Sequence, residues 1–116
     1  MPETSIVIFD EIAQGTPIRE NAGEAYIHSH LLEVDELVFR YRGSLPSLGI
    51  EYGDLLIVEP RKKPATGELV LVRCGQNAFI GRWWVKHGLR ELHETGQSIE
   101  GELRIAGAVT VIVRQS

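Results

Sequence analysis

A chain of 116 residues is long enough for one hydrophobic core, burying roughly two thirds of the surface that its unfolded form would expose. Its composition, 43% hydrophobic and 24% charged, is that of an ordinary globular chain, and a net charge of -4 gives no electrostatic drive toward nucleic acid, so direct nucleic-acid binding is not expected. A single cysteine, Cys74, excludes an internal disulfide and any zinc cluster of several cysteines, while the start MPETSIVIF lacks the marks of a signal peptide and no apolar run reaches the roughly 18 residues of a membrane span. A cytoplasmic protein of one domain is the expectation.

The apolar runs are short and rich in Val, Ile and Leu, and Gly, Pro or Asn interrupts them every several residues. That is the pattern of a mostly β domain, and no long segment has helical period. In chain order the spacing predicts strands over residues 5–9, 36–41, 54–59, 68–73, 78–85, 89–93, 102–105 and 108–114. The segment before Glu24 is loosely patterned, so residues 1–23 are read as an N-terminal arm and 24–116 as the β domain. Two hairpins are legible. Cys74-Gly75-Gln76-Asn77 joins one pair of strands, and Lys86-His87-Gly88 is expected as a three-residue loop with glycine at positive φ. In that register Val85 pairs with Leu89, and Gly81 falls opposite His93.

Gly43-Ser44-Leu45, then Gly49-Ile50, then Gly53-Asp54-Leu55-Leu56, then Gly67-Glu68-Leu69-Val70 follow one another along the chain. In order and spacing they resemble the C-terminal domain of LexA-type repressors and the UmuD family of self-cleaving serine peptidases. Ile12-Ala13-Gln14-Gly15-Thr16-Pro17-Ile18 looks like that family's cleavage segment, where a small residue precedes glycine and a proline follows. The resemblance covers most of the chain and implies a compact, β-clip-like fold of antiparallel sheets and hairpins. It also implies a chemistry: a serine attacks a peptide carbonyl and a neutral lysine takes its proton. Lysine, with an unperturbed pKa of about 10.4, serves as such a base only when burial disfavours its charge.

Carried onto this chain, the resemblance puts Ser44 at the nucleophile and Gly81, in Ile80-Gly81-Arg82, at the place of the lysine. Arg82 does not replace it, because a guanidinium stays protonated and the next residue of a strand points to the other face. Lys86 lies five positions on, roughly 16 Å away in an extended strand. His93 is the candidate substitute base in the expected register; the plainer reading is a strand histidine whose ring covers the space beside the glycine. Ser44 likewise has a plainer reading, a turn residue bonding nearby backbone, and Asp54 is read as the cap of the turn entering its strand. Gln14 stands where the family has a small residue, and seating it in a cleft costs about one to several kcal/mol unless it is hydrogen-bonded. Ala22-Gly23 offers a small-residue alternative but lacks the following proline.

The implied protein is a degenerate peptidase, with Ser44 as the relic of a nucleophile, that works by binding protein. By the same resemblance its partners are a second copy of itself and a DNA polymerase or recombinase filament, in an SOS-like damage response or mobile-element regulation; no cofactor is implied. The competing reading is a self-cleaving peptidase using Ser44 with His93. His28 and His30 lie two apart and share a strand face, but no third ligand of clear spacing accompanies them, so no metal site is expected. Trp83 and Trp84, being adjacent, face opposite ways, and the outward ring points to a partner surface. Val111 and Val113 belong to a run, 108–113, that is apolar on both faces, which suits a strand covered by the core on one side and another subunit on the other.

Overall fold

A computed structural model describes residues 4–60, 63–97 and 99–114. Among them the strands are β1 (Thr4–Ile12), β2 (Thr16–Pro17), β3 (Arg19–His28), β4 (Leu37–Tyr41), β5 (Leu55–Glu59), β6 (Leu69–Cys74), β7 (Asn77–Lys86), β8 (Leu89–His93) and β9 (Leu103–Val113), with short 3-10 turns at Ser29–Leu31 and Pro46–Leu48. The strands form one sheet in the order β2-β7-β6-β9-β5-β4-β1-β3, with β8 also paired to β7. Every pairing is antiparallel except that of β1 with β4. The sheet curls close to closure into a single, mostly β domain, as the short apolar runs predicted.

β5 shows why the core sits where it does. Its first four residues, Leu55, Leu56, Ile57 and Val58, are all fully buried, so the strand is covered on both faces. Leu56 and Val58 join a cluster with Phe39, Tyr41, Leu45, Leu71 and Ile80. Leu55 and Ile57 join a second cluster with Val7, Phe9, Ala25, Ile27 and Val38. A third, smaller cluster of Val70, Val72, Phe79 and Trp83 lies under the β6–β7 hairpin.

Two expectations are corrected. The boundary placed after residue 23 falls inside β3, and the arm expected before it is part of the sheet: Val7, Phe9 and Ile12 are core residues of β1, which pairs along β3. β3 escaped the pattern because two of its inward positions, Gly23 and Ala25, are small. Gly23 lies directly under the Phe9 ring, where an added Cβ would come within 2.7 Å of Cζ, and a bulge opposite Asp10 shifts the register near Asn21, whose φ is 53°. The strands expected over 102–105 and 108–114 are one strand, β9, whose first half pairs with β6 and second half with β5. The apolar pattern breaks at Gly107, where a Cβ would strike Val58 and the Glu59 carbonyl at the hand-over. Among the described residues no helix is long and apolar enough to cross a membrane.

Candidate functional site

β7 organises the site. One edge pairs with β6; the other carries β2 against Asn77 and Ala78 and β8 against residues 82–86. No strand reaches Ile80 between them, yet a strand edge buried there needs partners for its backbone groups. Gln14 supplies both. Its Oε1 accepts from the Ile80 amide at 2.9 Å, and its Nε2 donates to the Ile80 carbonyl at 2.7 Å and to the Thr95 carbonyl at 2.8 Å. The side-chain amide thus stands in for the backbone of a missing strand residue. The Tyr41 hydroxyl reaches the same Oε1 at 3.5 Å, and the next amide, Gly15, donates to the Ala78 carbonyl at 2.9 Å. Thr95, 6% exposed, and Gln97, over Gly15, close the segment from outside.

Ala13, Gln14 and Gly15 are therefore seated in a cleft, and the desolvation expected for Gln14 is offset by hydrogen bonds. Burial holds the Tyr41 phenol above its ordinary pKa, with the hydrogen bond to Gln14 acting in the opposite sense. Tyr41, Thr95 and Gln97 were not singled out from sequence; the only signal was Gln14 itself, a polar residue that a cleft must satisfy.

Gly81 has no space for a side chain. A Cβ there would stand 2.6 Å from the His93 carbonyl oxygen and 2.7 Å from Leu92 Cγ. The expected pairing of Gly81 with His93 is corrected by the turn. His87 and Gly88 form a two-residue loop with φ of 51° and 79°, both positive as a type I′ turn requires, so Lys86 pairs with Leu89 and Arg82 with His93. One residue of slip sends the imidazole to the opposite face. What fills the space beside Gly81 is Leu92 and the strand backbone. His93 Nε2 lies 2.9 Å from Glu91, and Arg82 is held by Glu94 at 2.8 Å and the Gly67 carbonyl at 3.0 Å.

Ser44 is exposed, and its hydroxyl has no hydrogen-bond partner among the described residues, so the backbone bond expected of it is absent. It borders a shallow pocket with Pro46, Gly49, Ile50, Glu51 and Arg114. Asp54, 1% exposed, accepts from the Glu51 amide at 2.8 Å, the turn cap expected of it, and from Arg114 at 3.1 Å. That carboxylate first, and Glu51 after it, hold the Arg114 guanidinium above its ordinary pKa. Among the described residues neither lysine nor histidine lines the Ser44 pocket.

Trp83 is core, 4% exposed, and Trp84 is outward, 41% exposed and 5.7 Å from the His93 ring. Trp84 is the ring that projects outward. Val111 and Val113 are half-buried against the Val7 cluster, while Val109 and Ile112 pack on the other side against the Leu56 cluster. Along residues 109–113 β9 pairs with β5 alone, β6 having paired with its first half, and the side chains of this run stay half-buried or exposed. His28 and His30 stack with centroids 5.5 Å apart, and no group of three metal-ligating side chains occurs among the described residues. No family model matches this chain, and no curated protein matches it either.

Proposed function

We propose that the chain is a LexA/UmuD-like peptidase domain that no longer cleaves and acts as a protein-interaction module. The observation that carries the reading is Gly81: the position where the family's lysine would stand lacks room for even a Cβ. A base is needed beside the nucleophile, and geometry comes before pKa. Among the described residues Ser44 has none within its pocket. The cleavage-like segment supports the same reading, since Gln14 fastens it to β7 as a structural part. The rival, Ser44 activated by His93, requires the imidazole beside residue 81, and the β7–β8 register turns it away.

Binding is assigned to what the chain leaves open. Trp84, Val85 and Leu89 project from the β7–β8 hairpin at 41%, 45% and 66% exposure. Trp84 and Leu89 share one face of the hairpin, since Leu89 pairs with Lys86, and Val85 projects from the other; exposed aromatic and apolar side chains of this kind are enriched at interface centres. Self-association belongs to the proposal through this hairpin rather than through Val111 and Val113, and a polymerase or recombinase filament of a damage response is the kind of partner the family resemblance implies. Treatment of the folded chain with a fluorophosphonate that labels activated serines tests the reading. No adduct on Ser44 is expected, and stoichiometric labelling abolished by Ser44→Ala would overturn it.

A further inference from the structure

A groove of about 720 Å³ opens on the Trp83 face of the sheet, between β8, the segment after it and the start of β9. Trp83 and Leu92 line it with Ile99, Leu103 and Ile105. Pairing of Trp83 with Leu92 and of Val85 with Arg90 puts the Arg90 side chain on the same face. Among the described residues Arg90 has no carboxylate partner.

The wall formed by β8 says what kind of ligand fits. Arg90, Glu91, Leu92 and His93 all border the groove, although side chains of a strand alternate between faces. Consecutive residues border one space only where that space reaches the strand's edge. Among the described residues β8 pairs with β7 alone, so its other edge carries backbone donors and acceptors with no strand against them. A small apolar molecule would leave them unsatisfied; an extended peptide pairs with them.

We propose that this groove binds an extended peptide that adds a strand to β8, setting an apolar side chain over Trp83 and Leu92 and an acidic side chain against Arg90. Arg90 and Leu92 are two apart on one face, so the acidic and apolar residues of the peptide are two apart as well. The inference rests on the protein-interaction reading above and names the chemistry of the partner.

The test uses the full chain carrying Trp84→Phe, so that emission reports Trp83, and a fluorescein-labelled extended octapeptide with leucine and aspartate two positions apart. Saturable binding with a shift in Trp83 emission is expected. Arg90→Gln should weaken it about tenfold, an effect that vanishes when the peptide's aspartate is replaced by asparagine. Ile105→Glu, at a site 38% exposed where folding tolerates the change, should abolish binding. Absence of binding at millimolar peptide, or binding indifferent to both substitutions, would overturn the groove. In that event an uncleaved chain keeps the interaction reading on other surfaces, whereas cleavage would remove that reading whatever the groove does.

Discussion

Replacing Gln14 tests the cleft most sharply, because one side chain completes a sheet edge. Gln14→Met keeps the length and removes every hydrogen bond: two to Ile80, one to Thr95 and the longer one from Tyr41. Ile80 is fully buried, so its amide and carbonyl lose their only edge partners. An unsatisfied buried group costs about 1–3 kcal/mol, and water entering beside Thr95 recovers a part, which leaves a loss of about 2–4 kcal/mol. Gln14→Glu does more damage at neutral pH, since a carboxylate oxygen then faces the carbonyls of Ile80 and Thr95 where a donor stood. As pH falls the glutamate takes up its proton, above its ordinary value of about 4.3 because burial beside two carbonyls disfavours the carboxylate, and its O–H can then donate again, so Gln14→Glu should recover and become more stable than Gln14→Met. Urea unfolding followed by tryptophan emission measures the loss, and hydrogen exchange at the Ile80 amide locates it. Variants within about 0.5 kcal/mol of the parent, with the Ile80 amide equally protected, would refute the idea that Gln14 replaces a strand.

Gly81→Ala should destabilise by about 1–3 kcal/mol, the range for overpacking a close contact. Leu92→Ala introduced beside it relieves only part of the strain, because the His93 carbonyl stays 2.6 Å away; full relief in denaturant unfolding would contradict the geometry. Trp83→Ala should cost about 3–5 kcal/mol as a core truncation and Trp84→Ala less than about 1 kcal/mol, read from the same unfolding curves. For Tyr41 the pKa is raised in the fold above a phenol's ordinary 10.0, so the neutral phenol's contribution is present below that pH and is lost as pH rises through the folded value. Stability measured from neutral to strongly alkaline pH should therefore fall less steeply in Tyr41→Phe than in the parent.

Most strands were legible in the sequence because their apolar residues meet sheet partners on buried faces, as at Leu55 to Val58. β3 was not, because Gly23, beneath Phe9, and Ala25 in the same cluster are small, and smallness leaves no periodic signal. The fate of His93 turned on one residue of hairpin register. His87 takes a positive φ that sequence reasoning had reserved for Gly88, and the shorter loop moved every side chain of β8 across the sheet. Within the candidate site, the family resemblance placed the lysine's position at Gly81 in Ile80-Gly81-Arg82. What leaves no room for a side chain there, the backbone of β8 against Gly81, is a long-range contact that no local pattern encodes.

The central claim is that Ser44 does not cut this chain. Intact mass, followed over days at neutral and mildly alkaline pH with Ser44→Ala in parallel, tests it most directly, since alkalinity favours any neutral base. The account predicts one unchanged mass for each protein. A break after Gln14 or after Ala22 that appears in the parent and not in Ser44→Ala would contradict it.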